Sequence, residues 1–586
     1  MLGEVLKHLD LPIVSIYIST WQLKDLIEKG YTMKINFYAS FLLMLIYSCA
    51  TQSSRFEMVA QKYVDSLVVI IEPILKESAL AYWDATATGE DQYYQKYAEA
   101  EMLLINIYSS RNDFQKLKSF KAGRIKDPIL AREVEILYNK FLANQTDPQL
   151  LKKITQLATA VEQRFNTFRG TIDGQKVGSN DIKKILVESN NSDLREKAWN
   201  AAKQVAGLVE QDFLELVRLR NESAKSVGFS NFYEMKLFLG EQDPVEIQRI
   251  FEELEIHTRQ PFLEAKHEID QVLAQRFGIN IEDLKPWHYA DPFFQESPVT
   301  TPINLDQYYA DQDVVKLAQE FYDGIGINVD QILAHSDLYE RAGKYPHAYC
   351  TNIDRQEDIR VMMNIQPTES WMSTALHELG HAVYEMNYDP ALPFLLREPA
   401  HSFTTEAVAI FFERLSKNPN WMQKMLNLTE DQQEEVRNTT MKMLRSEKLI
   451  FARWSLVMLN FERELYSNPE QNLNQLWWNL VEKYQGIKCP EGRNLPDYAA
   501  KIHICLYPVY YHNYQLGGLL AAQFLHAIAQ RQGLASATEI RFVNNPEIGS
   551  YFIKNVFNPG NRFRWAELII RATGEKLNSK YFVEQL

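Results

Sequence analysis

The stretch LHELGHAVYEMNY, Leu376–Tyr388, sets two histidines four residues apart with a glutamate directly after the first. Positions i and i+4 of a helix lie on one face about one turn apart, so His377 and His381 can aim imidazole nitrogens at a single point. Zinc accepts neutral histidine at about 2.0–2.1 Å, and a catalytic site keeps one position open for water. Glu378 projects beside that point, where it can take a proton from water. Leu376, Leu379, Ala382 and Val383 are apolar, which predicts a buried helix, and Gly380 leaves room between the two ligands. A lone histidine here would be read as a hydrogen-bonded core residue; the full His-Glu-x-x-His set favours ligation.

Two histidines do not complete such a site, so a third ligand is expected from a later helix. SFTTEAVAIFFERL (402–415) opens on Ser/Thr capping candidates and continues apolar. Glu406 falls in its first turn, where a carboxylate is electrostatically favoured. A carboxylate among Ala407, Val408 and Ile410 needs a charged partner, which a metal ion supplies. Glu413, seven residues on, shares that face; it either orients a ligand histidine from behind or is a solvated or arginine-paired charge.

The rest of the chain narrows what surrounds this site. Its 586 residues are enough for a large core. Net charge is −14 with no Lys/Arg stripe, which excludes nucleic acid as a partner because phosphate binding needs clustered cations. Cys49, Cys350, Cys489 and Cys505 are too few for a disulfide scaffold and none pair at metal-ligand spacing. MKINFYASFLLMLIYSC (33–49) is a basic start, an apolar run and a terminal cysteine, the grammar of a bacterial lipoprotein signal; a buried or anchoring helix is the plain alternative. On that grammar Met33 is the start, 1–32 a spurious extension, and 50–55 a short polar tether from lipidated Cys49 at the bacterial cell envelope, periplasmic or outer-membrane. From about Phe56 onward apolar residues recur every three to four positions, predicting a mainly α chain, one helical catalytic unit over 56–586. IRVMMNI (359–365) reads as one strand, and KPWHYADPFFQESPVTTP (285–302) as an irregular segment lining a cleft.

The sequence resembles the angiotensin-converting-enzyme family of zinc peptidyl-dipeptidases. HELGHAVYEMNYDPALPFLLREPAHSFTTEA, WWNLVEKYQGIKCP (477–490), AAKIHI (499–504) and HAYC (347–350) carry the likeness, which is clear from roughly 345 to 525, weaker in 216–235, and before about 190 only compatible. The resemblance implies a two-lobed helical zinc peptidase of gluzincin type, with a deep central cleft, a small β element near the metal and possible lid helices in 56–190. It implies one zinc per chain on His377, His381 and Glu406, with Glu378 as base. By the same resemblance His503 and Tyr514 stabilise the tetrahedral intermediate, Lys501 and Tyr511 bind the substrate's C-terminal carboxylate, and His347 and Ala348 hold the peptide backbone. KIHI read as an extended segment points Lys501 and His503 the same way.

There are departures from the family pattern. One extra residue between His503 and the tyrosines leaves Tyr510 competing with Tyr511 for the carboxylate. Ile410 stands where the family has an aspartate. Val481 and Asn513 replace two chloride-binding arginines, so chloride activation is not expected. The region around Asp291 is too divergent to yield the family's carboxylate-binding glutamine. The implied activity is release of C-terminal dipeptides from free-ended oligopeptides by a monomer that touches the membrane only through its lipid anchor. A thimet-type oligopeptidase, cutting inside short peptides, and a non-catalytic lipid-anchored peptide-binding protein are the alternatives.

Overall fold

Most helices here begin at a side chain that accepts the first free backbone N–H groups. Asp127, Asp147 and Asp243 each cap a helix whose first residue is proline (Pro128–Ala143, Pro148–Thr167 and Pro244–Phe277), so the donor that proline lacks is one the helix start does not need. The computed structural model describes residues 32–298 and 304–586, with side chains from Arg55 onward, and the expected 1–32 extension lies almost wholly outside the described residues. The chain is mainly helical, with only two small two-stranded sheets among the described residues. Among the described residues no helix is long and apolar enough to cross a membrane. The first helix runs Thr32–Thr88, so the 50–55 stretch expected as a tether is helical here; ATQSSR contains no glycine or proline to interrupt it.

Among the described residues two large hydrophobic cores organise most of the helices, with two small clusters beside them. The smaller core is built from Ala60, Val64, Leu67, Ile71, Leu117, Leu130, Leu137 and Phe141, and it meets the rest of the molecule at Leu395. Arg132 pins this layer down. Its buried guanidinium pairs with Glu241 and donates through Nε to the Asn561 carbonyl at 3.0 Å. Lys140 and Arg355 converge on Glu398 in the same seam.

The larger core surrounds the helix Glu369–Met386, which carries both histidines and is capped by Thr368. It packs on the helix Ser402–Glu413, which in turn packs on His512–Arg531. Glycines make both approaches possible. A Cβ on Gly380 would lie 3.0 Å from Ala409 Cα, and one on Gly517 3.2 Å from Glu406 Cβ. The expectation that Gly380 spaces the two ligands is therefore corrected: it spaces the ligand-bearing helices. Gly380→Ala is expected to destabilise the fold by about 1–3 kcal/mol, because backbone cannot yield as a side chain would, read as a lower urea midpoint; an unchanged midpoint would contradict this packing.

The strand expected at 359–365 is shorter. Ile359–Met362 pairs antiparallel with Tyr349–Asn352, and Met362 faces Tyr349, where the partner strand ends. Beyond it Met363 and Ile365 donate to the Asp337 and Leu338 carbonyls, so the chain stays extended without a ladder. This hairpin lies against the histidine helix.

Candidate active site

His377, His381 and Glu406 come together, their nearest ligand atoms all within 4.8 Å of one another. The two Nε2 atoms are 3.2 Å apart, and His377 Nε2 is 3.7 Å from Glu406 Oε2. Three donors about 2.0–2.1 Å from a tetrahedral centre would stand roughly 3.3 Å from each other, so the residues fit a zinc ion. The outer nitrogens are held as such a site requires. His377 Nδ1 donates to Glu413 Oε2 at 2.6 Å; a carboxylate only accepts, so Nε2, once deprotonated, turns its lone pair inward. His381 Nδ1 is 2.7 Å from the Thr405 hydroxyl. Of the two readings of Glu413, the orienting one is realised, while Ile410, at the position of the family's aspartate, lines the cavity as an apolar wall. Thr405 had no sequence signal beyond its place before Glu406.

The electrostatics also ask for a cation. Glu378, Glu406 and Glu413 crowd the histidines. Burial opposes charge on His377, but the Glu413 hydrogen bond and the surrounding carboxylates outweigh it and raise its pKa to about 9. Burial and the His377 charge lower His381 to about 3. Burial raises Glu378 to about 7, against the pull of His377 and of a hydrogen bond from the Cys350 backbone. Replacing Glu413 by Gln is expected to weaken zinc affinity about 10–100-fold, measured by competition with a chelating dye; an unchanged affinity would remove its orienting role.

Lys501 is buried, and burial lowers its pKa to about 8 although Asp291 and Glu296 favour its charge. Its Nζ donates to Gln295 Oε1 at 2.5 Å and lies 5.3 Å from the Tyr511 ring centre. The Tyr511 hydroxyl is 3.5 Å from the same Gln295 oxygen. Gln295 thus stands beside Lys501 and Tyr511, in the stretch where the sequence offered no counterpart of the family's glutamine. It sits in the irregular 285–298 segment, held by buried Asp291, which accepts from the Phe293, Gln295 and Glu296 N–H groups. Tyr510 turns away, its ring 5.4 Å from Tyr514 and its hydroxyl toward Ser402 and Glu406. The chain reaches this arrangement through Val509, whose φ of +56° is rare for a β-branched residue and whose N–H donates to buried Glu462 at 2.7 Å.

The extended reading of KIHI is corrected. Lys501 precedes a short helix, Ile502–Leu506; among the described residues no neighbouring strand is there to take its backbone hydrogen bonds. His503 stands 5.1 Å from the Tyr511 ring with its Nδ1 buried and unpartnered. Burial, then Lys501, lowers its pKa to about 4, so the ring is neutral at pH 7. Tyr514 lines a cavity of about 690 Å³ together with His377, Glu406 and Gln295. His347 is exposed before the hairpin, its ring 5.3 Å from Tyr345, and Ala348 packs on the main core; no described contact joins either to Lys501. Val481 and Asn513 are buried, and the Asn513 amide oxygen accepts from Gln242 at 2.7 Å.

Comparison with known proteins agrees with this geometry. The model of peptidase family M3 matches residues 185–586, and that of angiotensin-converting enzyme matches residues 54–269, reaching into the part where the sequence likeness was faint. The angiotensin-converting enzyme of Sus scrofa is 24% identical over 522 residues, covering 81% of this chain and 38% of its own length. That of Theromyzon tessulatum is 20% identical over 510 residues, covering 81% of this chain and 82% of its own. The angiotensin-converting enzyme-like protein Ace3 of Mus musculus is 21% identical over 548 residues. The metal triad lies inside the longer of the two matched segments, and the chain belongs to peptidase family M3, a family of zinc-dependent metallopeptidases, with the angiotensin-converting enzymes as relatives over about four fifths of its length.

Proposed function

We propose that this protein is a zinc-dependent peptidyl-dipeptidase that releases C-terminal dipeptides from free-ended oligopeptides, with one zinc per chain and no chloride activation. The observation that carries this reading is a single cavity lined at once by His377, Glu406, Tyr514 and Gln295, the last held by Lys501. A zinc ion on His377, His381 and Glu406 supplies a Lewis acid that activates water near neutral pH. Glu378 takes the proton of the attacking water and passes it to the leaving amine. His503, neutral, and Tyr514, kept protonated by burial and by Glu406, donate to the oxyanion; loss of one such donor lowers rate by about 10²–10³. Lys501, Gln295 and Tyr511 grip the free carboxylate, which sets the register of the cut. His347 and Ala348 bind backbone on the other side of the scissile bond. The apolar run ending at Cys49 supports a lipid-anchored setting in a cell envelope.

The test is digestion of paired free-ended and amidated peptides by zinc-loaded protein, read by mass spectrometry. Dipeptides from free-ended peptides alone support the proposal. Equal internal cutting of both favours the oligopeptidase alternative, and no cutting favours the binding protein.

A further inference from the structure

The cavity that holds the metal ligands continues past Glu413 to a wall of cations. Arg414, Lys417 and Lys448 line it, together with Glu296, Glu413 and Glu447. The three carboxylates are engaged: Glu413 with His377, Glu447 with Lys417 at 3.8 Å, and Glu296 with Lys183 at 3.1 Å. Among the described residues that leaves Arg414 and Lys448 without an ion pair of their own. Arg414 Nη1 is buried without a hydrogen-bond partner, and the carboxylate acting on this guanidinium is the Glu413 already held by His377. Lys448 Nζ donates to the neutral Gln585 Oε1 at 2.9 Å; Arg414 repels its charge, and the carboxylate that favours it is the Glu447 already paired with Lys417. Two adjacent half-buried basic groups carry their charges only at a cost, which burial and mutual repulsion impose and which an anion bound between them would offset. Ile410, Leu444 and Phe451 add an apolar stretch of wall among polar Ser297, Ser373 and Gln515, and this low-dielectric stretch strengthens a charge pair formed against it.

We propose that Arg414 and Lys448 form an anion-binding wall of the peptide cleft that takes the carboxylate side chain of an aspartate or glutamate in the released dipeptide. This rests on the peptidase reading above and names its substrate class. The volume of about 690 Å³ is in the range that holds a small ligand of this size, and a fork of guanidinium donors matches a carboxylate.

The test compares N-acetylated, free-ended pentapeptides that differ only in Glu or Gln at the last or the penultimate position. Zinc-loaded protein is assayed at one ionic strength in chloride and in acetate. Wild type is expected to favour Glu over its isostere by about 10–100-fold in kcat/KM at one of the two positions, the range for a buried charge-assisted hydrogen bond. Arg414→Gln is expected to bring that ratio close to one, whatever it does to the overall rate. Lys448→Gln is expected to lower it too, which keeps the test available should the first variant fail to fold. Equal cleavage of Glu and Gln peptides by wild type, or a preference that survives in both variants, overturns the proposal. Rates on Gln peptides that follow chloride, with no Glu preference, overturn it in favour of an inorganic anion. Cleavage of no peptide removes the peptidase reading itself.

Discussion

Glu378→Gln protein is expected to bind zinc as tightly as wild type while its kcat falls about 10²–10⁴-fold, the range for removing a positioned general base. The separation of the two effects follows from where the side chain stands. Glu378 is next to His377 in sequence but is not one of the three converging ligands, and its carboxylate is steadied by the Cys350 backbone N–H from the hairpin. Glutamine keeps the volume and still accepts that hydrogen bond, yet cannot take a proton. Zinc content by elemental analysis and kcat on a free-ended peptide check the two halves separately. Unchanged turnover would take the base away from Glu378; lost zinc would mean the carboxylate belongs to the ligand set.

The metal triad was legible because its chemistry is local. His377 and His381 need only helical spacing, and Glu406 needs only a charge stranded in an apolar helix. Glu413 was half legible, since heptad spacing put it on the right face but could not say whether water or His377 lay opposite. Gln295 was not legible. It lies over 200 residues before Lys501, in a segment whose shape is set by Asp291 gathering three N–H groups rather than by any periodicity. KIHI misled for a related reason. Alternating isoleucines are a strand signal only where another strand is there to pair, and sequence spacing carries no information about that neighbour. The same limit hid which of Tyr510 and Tyr511 lies beside Gln295, a placement that follows directly after the positive φ of Val509. Arg414 gave no sequence signal at all, because a cation is conspicuous only once the neighbouring carboxylates are known to be engaged elsewhere.

Lys501→Ala protein is expected to lose about 10²-fold or more in kcat/KM on free-ended peptides and to cleave amidated ones as wild type does. Truncating one member of a buried charge pair typically removes 2–5 kcal/mol of binding, and each ~1.4 kcal/mol is tenfold. Lys501 is placed to deliver that much because Phe293, Trp454 and Tyr511 wall it from water and Gln295 fixes its direction. Burial also gives a pH signature. Its folded pKa is lowered to about 8, so the ammonium is present below pH 8 and lost above it. For wild type, kcat/KM on free-ended peptides should fall about tenfold per pH unit above that value, as an essential acid of the free enzyme does. The amidated series should lack this limb, since no carboxylate is there to need the charge. Arginine, charged throughout the range, should shift the limb out of reach in Lys501→Arg even if its larger head lowers the rate. An alkaline limb shared by both peptide series would place the titrating group elsewhere and leave the register of cleavage without its anchor.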